Sequence, residues 1–342
     1  MTLSRRSLVA AGAAALVPFA ATAQAPVSVP VPVRIGVIPI LAASPVFVAE
    51  AEGWLRDAGL AAKFTTFESG PNMIQALASG TLDIYVAGIA PLGVARARGI
   101  DVKVVATVAV EENVFVAGGK LARFFTPGVT PAEAFKKFRA ATGAPARLAA
   151  QPPGSVPNAT LQYWLWEVAK ADRADVTILS MGIDATQQAV LVGAVEGGAL
   201  REPAVTIVTQ RDPSIRLLAL GGEMFPRQPG TVVAIMKSFL DRNPTQSQAL
   251  VAAIIRAVAA IQATPDRAAP IIEAALGKGI VDTATIRKAL ASPATKFTAD
   301  PHAIIEATSA MQRFQLATGT IDRDVPLDGL FDTTLFDRAT KR

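Results

Sequence analysis

The sequence predicts an α/β protein of two similar lobes followed by a helical tail. Three observations carry that reading. β-Branched runs alternate with helical segments from residue 33 on, the alternation restarts near residue 147, and beyond Pro244 it gives way to helical periodicity alone. At roughly 100 to 200 residues per domain, 342 residues suit two domains.

In the first unit, Val33-Arg34-Ile35-Gly36-Val37-Ile38 is a strand by its β-branched density. Ser44-Pro45 starts a helix, with Ser as N-cap and Pro at the first helical position, and Gly59 ends it. Residues 62–67 form the next strand and run into Ser69-Gly70-Pro71-Asn72, which opens a helix that reaches Ala78 and stops at Gly80. Residues 82–87 form a third strand, Gly88-Ile89-Ala90-Pro91 leads into another helix, and residues 102–110 form a fourth strand. Such alternation predicts a parallel sheet covered on both faces.

The second unit repeats the rhythm. Residues 147–150 form a strand, 152–158 a loop, 159–170 a helix, 176–179 a strand, 186–192 a helix, and Gly198 starts another strand. Setting Gln75 against Gln188 pairs Gly80 with Gly193 and Leu82-Asp83 with Val195-Glu196 at a constant offset of 113 residues, the mark of an internal duplication. The tail, with Ala249, Ile254, Ile255 and Val258 on one helical face and Pro265, Pro270 and Pro293 as punctuation, is expected to wrap one lobe.

Composition narrows the chemistry. Apolar residues make up 51% of the chain and charged residues 18%, enough for a core and far from a disordered composition. There is no cysteine and a single histidine, His302, so disulfides, thiolate nucleophiles, Cys-ligated metals and multi-histidine sites are excluded. Residues 1–25 join a basic head (Arg5-Arg6) to an apolar run and Ala23-Gln24-Ala25. They read as a signal peptide of twin-arginine type cleaved after Ala25, which points to export into the periplasm. Loss of Arg5 and Arg6 takes two charges from a net of only +5, so no nucleic-acid partner is expected.

In open α/β sheets ligands bind beyond the carboxyl ends of the strands, against the N–H groups of helix N-termini. Four junctions combine a small or hydroxyl residue with glycine or proline there: Ser44-Pro45, Ser69-Gly70-Pro71-Asn72, Gly88-Ile89-Ala90-Pro91 and Gly154-Ser155-Val156-Pro157. Each alone is an ordinary helix start. Together they suit a small anionic or strongly polar ligand held between lobes. No nucleotide-binding glycine loop and no Gly-x-Ser-x-Gly elbow occurs, and His302 lies far from these serines, so no enzyme, cofactor or metal is expected. Glu111-Glu112-Asn113 falls where the chain crosses to the second lobe, as a solvated hinge or as an amine-binding carboxylate. Glu202, in Arg201-Glu202-Pro203, either pairs with a ligand cation or a hinge N–H or forms a surface ion pair with Arg201. Trp164 and Trp166 are expected in the core.

Gly53-Trp54-Leu55-Arg56-Asp57-Ala58-Gly59-Leu60, Gln75-Ala76-Leu77-Ala78-Ser79-Gly80-Thr81-Leu82-Asp83-Ile84, Pro153-Gly154-Ser155 and Glu202-Pro203, in this order, resemble the sulfonate/nitrate/taurine and thiamine-pyrimidine group of ABC-transporter substrate-binding proteins. The resemblance covers nearly all of residues 33–265. It implies a two-lobe periplasmic binding protein of type II, the Venus-flytrap architecture, with two hinge crossovers. Lobe 1 would take residues 33–111 and 240–342, and lobe 2 residues 112–239. It implies a monomer that captures a small solute and delivers it to an ABC permease and its ATPase. The family's ligand loops fall on Ser44, Ser69, Gly70, Gly88, Gly154, Ser155 and Glu202, with Asn72, Ile89 and Arg201 beside them.

Two departures stand out. Arg201 occupies a place where relatives often carry an aromatic residue, and Glu196 one where they carry Asp. An arginine there either favours a carboxylate or sulfonate or faces water. The nitrate and bicarbonate branch uses a pocket histidine that this chain lacks. The expectation is therefore a receptor for a sulfonate, taurine-like or related anionic or zwitterionic solute. A thiamine-type pyrimidine, an aromatic carboxylate, an exported enzyme on the same scaffold, and service to a sensor kinase or secondary transporter stay open as alternatives.

Overall fold

The computed structural model describes residues 29–277 and 281–341. The leader expected over residues 1–25, with its cleavage after Ala25, lies outside the described residues. The strands in chain order are β1 (Val31–Val37), β2 (Leu60–Thr66), β3 (Ile84–Gly88), β4 (Val102–Thr107), β5 (Ala109–Val110) and β6 (Val114–Ala117). Then follow β7 (Ala146–Ala150), β8 (Val176–Ser180), β9 (Gly197–Leu200), β10 (Arg216–Ala219), β11 (Thr231–Met236) and β12 (Lys296–Phe297).

They build two five-stranded sheets, ordered β2-β1-β3-β11-β4 and β10-β6-β9-β7-β8, plus the ribbon β12-β5. The expected all-parallel sheet is corrected here. β1 runs parallel to β2 and β3, but β11 runs antiparallel to β3 and β4; in the second sheet β7 runs parallel to β8 and β9, but β6 runs antiparallel to β9. The cause is chain path. Each sheet takes its odd strand from a segment that has just crossed over from the other lobe, β6 from the first and β11 from the second, and the crossing reverses its direction. β11 also returns the chain to the first sheet at residue 231, before the boundary expected at 240.

The duplication is visible atom by atom. Arg34 holds Asp83 with its backbone N–H (2.9 Å), Nε (2.8 Å) and Nη2 (2.7 Å). Arg147 holds Glu196 with the same three donors at 2.7, 3.1 and 2.8 Å. Helix Gly70–Ala78 and helix Ile183–Leu191 likewise correspond at the 113-residue offset.

Smaller differences have local reasons. The strand expected over 102–110 breaks after Thr107, because Ala109–Val110 turns to pair with Lys296–Phe297, which also gives the tail a strand it was not expected to have. The helix expected over 159–170 starts at Val156, capped by Ser155, and ends in a π-turn, Trp164–Val168. Trp164 packs on Phe115 at 4.5 Å in the second lobe's core, as expected, while Trp166 packs against the edge of that core, half-buried, with the Arg173 guanidinium over its ring. The tail does not wrap a single lobe. Helices Pro244–Ala263 and Pro265–Leu276 pack on helix Ser44–Ala51 of the first lobe, but Thr283–Leu290 packs on Ala204–Arg211 of the second. Helix Ile305–Ala317 touches helices from both, setting Phe314 5.1 Å from Tyr163. The apolar core of the first sheet accordingly takes in Val156, Ala159, Ile207 and Phe225 from the second lobe.

Candidate functional site

Ser69 in the first lobe and Ser155 in the second each cap the first turn of a helix. Ser69 Oγ accepts from the Asn72 N–H at 3.4 Å and Ser155 Oγ from the Asn158 N–H at 3.3 Å. Both serines are buried, so the two helix N-termini face protein and not bulk water. Asn72 itself is exposed, and it contributes its backbone N–H to the cap. Ser44 differs from expectation. It is the first residue of its helix and not the cap, because the short turn Leu41–Ala43 precedes it, and its buried Oγ has no hydrogen-bond partner.

The glycines mark where lobes and loops close up. A Cβ on Gly88 would stand 2.8 Å from Val156 Cγ2 of the opposite lobe, and one on Gly70 would stand 2.6 Å from the Tyr85 hydroxyl. Gly154 has φ +86°, a left-handed conformation that glycine adopts without strain and that aims the turn at Ser155. Ile89 donates its N–H to Gly230 O (3.1 Å), stitching the start of its helix to the second crossover.

The centre of this junction holds residues the sequence reading had left at the margin. Arg201 does not face water, and its partner is not Glu202. Its Nη1 stands 3.5 Å from Glu112 Oε1, both side chains being buried, at 4% and 0% exposure. Glu112 also accepts from Thr231 Oγ1 at 2.8 Å, and Thr231 lies in register with Gly88 across β11 and β3. Tyr85 donates to Gly88 O at 2.6 Å. A direct path of contacts thus joins Gly70, Tyr85, Gly88, Thr231, Glu112 and Arg201. Glu202 turns away. Its Oε2 accepts from the Thr206 N–H at 3.1 Å, and its backbone O accepts from the Leu41 N–H at 2.9 Å, which ties the Ser44 turn to the second lobe. Glu111 is the solvated half of the hinge and pairs with Lys296, whereas Asn113 is locked to Gln228 by two bonds to Gln228 Oε1, at 2.9 and 3.0 Å. The signal for Glu112 was its place at the crossing; nothing in the spacing tied it to Arg201.

Burial sets the electrostatics. It pushes the Glu112 carboxyl up, against the opposing pull of Arg201, and pulls the Arg201 guanidinium down against the pull of Glu112. Burial also raises Glu202, opposed by hydrogen bonds from Ser292 and Thr206, and raises the Tyr85 phenol. Among the residues just described, four buried atoms lack partners: Ser44 Oγ, Glu112 Oε2, Asn113 Oδ1 and Arg201 Nη2. Unmet buried polar atoms are costly, so the Glu112–Arg201 pair, with one unpartnered atom on each side, is an incomplete hydrogen-bond set. A cleft of about 280 Å³ opens between Pro71, Asn72, Pro91, Pro153 and Gly154, at the helix starts that Ser69 and Ser155 cap, though the unpartnered atoms do not line it. A wider groove of about 690 Å³ runs past Trp54, Pro244, Ala252, Arg256 and Arg338 on the outside of the first lobe, but these unpartnered atoms are not in its walls.

Residues 28–276 match the model of the NMT1-like family. The chain belongs to that family. It is 24% identical to a Bacillus subtilis protein named for binding aliphatic sulfonates, over 90% of this chain and 87% of that one. It is 26% identical to the nitrate import ATP-binding protein NrtC of Synechococcus elongatus over 66% of this chain, but it spans only 34% of that relative's length. Among solved structures, the periplasmic nitrate-binding protein NrtA of Synechocystis superposes with a TM-score of 0.73 at 15% identity, over 91% of this chain and 89% of that one. This member of the NMT1-like family therefore has the two-lobe periplasmic-binding-protein fold. By family it is a substrate-binding protein and not an enzyme. His302 takes no part in the junction. It lies at the surface, 3.0 Å from Asp337.

Proposed function

We propose that this protein is a periplasmic solute receptor that captures a small organic anion or zwitterion between its lobes for an ABC permease and its ATPase. The observation that carries the reading is the buried Arg201, which spends one arm on Glu112 across the hinge and leaves Nη2 without a partner. Ser44, Ser69, Gly70, Gly88, Gly154 and Ser155 would supply hydroxyl and backbone donors to the anionic group, with Asn72 at the rim and Ile89 in the wall, its N–H already given to Gly230 O. Arg201 would bind that group as a charge. A ligand that bridges both lobes favours the closed form by its contacts to the second lobe, as hinge closure requires. Likeness to a sulfonate-binding relative and to a nitrate-binding fold neighbour supports the anionic class. The leader read from residues 1–25 would export the chain, which would then act as a monomer.

A thermal-shift panel of ethanesulfonate, taurine, nitrate, pyrimidines and aromatic acids tests this. A cognate solute at about 100 times its Kd adds about 2.7 kcal/mol, or on the order of 5 to 10 °C. Stabilisation by sulfonates or carboxylates is expected. Stabilisation by neutral pyrimidines alone would move the reading to that class.

A further inference from the structure

We propose that Glu112 takes up a proton when an anionic group of the solute engages the free Nη2 of Arg201, so that the protein captures an anion and a proton together. The inference rests on the receptor reading above.

Its basis is charge accounting in a dry site. Glu112 and Arg201 form a one-legged ion pair at 3.5 Å, buried at 0% and 4% exposure, with Oε2 of the acid and Nη2 of the guanidinium both unpartnered. Among the described residues, Arg201 is the one cation within 4.0 Å of Glu112. An arriving sulfonate or carboxylate would place a second negative charge on a guanidinium already matched. Two anions sharing one buried cation strongly favour protonation of one of them. A sulfonate holds a proton far less readily than a carboxylic acid, so the proton falls to Glu112. Neutral Glu112 can then use its O–H as a donor, to the solute or to Thr231 Oγ1, which now donates to its Oε1.

The groups around Glu112 leave no other taker. From β3, Tyr85 is neutral and already donates to Gly88 O. From the segment after β9, Arg201 is the paired cation and Glu202 is turned to the Thr206 N–H. From β11, Thr231 does not titrate. On Glu112's own segment, Glu111 points outward to Lys296, and Asn113 is neutral and bound to Gln228. Burial, which already pushes the Glu112 carboxyl up, works in the same direction.

Calorimetric titration of the full chain with ethanesulfonate, taurine and benzoate, in two buffers of unequal ionisation enthalpy at one pH, counts the protons directly. Uptake of about one proton per anion is expected. Affinity should then fall about tenfold per pH unit across the range in which Glu112 is charged free and neutral bound. Glu112→Gln, which keeps a neutral partner of the same shape, should bind with a flat pH profile and no proton uptake. Binding with equal heats in both buffers overturns the proposal while leaving the receptor intact. A pH slope that survives in Glu112→Gln does the same. If none of the three anions binds at any pH, both this proposal and the anion-receptor reading fail. The wild-type proton count decides the matter even if the variant does not fold.

Discussion

Arg147 and Glu196 form a three-bond clamp that reproduces, 113 residues on, the clamp between Arg34 and Asp83. In each lobe an arginine early in a central strand ties itself to the carboxylate that opens the neighbouring strand. The pair therefore pins strand register in each lobe at the same structural position. Two copies of one architectural unit, each lending a strand to the other's sheet, account for the two hinges.

Arg147→Ala should cost about 1 to 2 kcal/mol, the range for hydrogen bonds to a charged group discounted because the arginine is half-exposed. Burial raises the Glu196 carboxyl, but the Arg147 hydrogen bonds outweigh it and hold the group below its ordinary 4.5. The stabilisation is thus present above about pH 4.5 and lost as pH falls through the lower, folded-state value. Urea unfolding at pH 7 and in acid should show the wild type and the variant converging at the acid end. A gap that stays constant with pH would show that packing, not charge, makes the difference.

Gly88→Ala should prop the lobes apart, since its Cβ would sit 2.8 Å from Val156 Cγ2. Small-angle scattering should give a larger radius for the variant, and solute affinity should drop about tenfold, equivalent to about 1.4 kcal/mol spent on closure. Val156→Ala on that background removes the clash and should restore both readings. Failure of the second substitution to rescue would place the strain within the first lobe.

Ser69 and Ser155 cap their helices, and the proposed solute site gives each a second role that substitution separates from the first. Glycine caps helices nearly as well as serine, so Ser69→Gly and Ser155→Gly should lose only a few tenths of a kcal/mol of stability, against about 0.5 to 2 for alanine. Either change removes a hydroxyl from the proposed solute site and should weaken binding by a factor of about 2 to 12, the span of about 0.5 to 1.5 kcal/mol per hydrogen bond. Affinities unchanged within about twofold in all four variants would exclude these hydroxyls from the site.

Arg201→Ala leaves Glu112 buried without a cation, with only the Thr231 hydroxyl to hold it, and should destabilise by about 3 to 5 kcal/mol at pH 7. The loss should shrink as acid neutralises Glu112, because a carboxyl raised by burial is a penalty only while it is charged. Pairing the change with Glu112→Leu should recover most of the stability and none of the anion binding. Denaturant midpoints for the single and double variants distinguish this from a site that was merely well packed.

Much of this protein follows from local chemistry in the sequence. Ser69 and Ser155 start their helices because a hydroxyl satisfies an N–H that the helix cannot, and the β-branched runs became strands of the two sheets. The 113-residue offset was legible because it is a property of spacing alone. What the sequence left open was everything that depends on where the chain goes after it leaves a strand. β6 and β11 carry the apolar residues of any strand, and only the crossovers decide that each joins the opposite sheet in reverse. Arg201 stood beside Glu202 in sequence and turned instead to Glu112, which lies on the other side of the hinge. Residue types and periods fix elements because those are set by neighbours a few positions away. Which two charges share a buried site is set by lobes closing on one another, and that contact exists only in three dimensions.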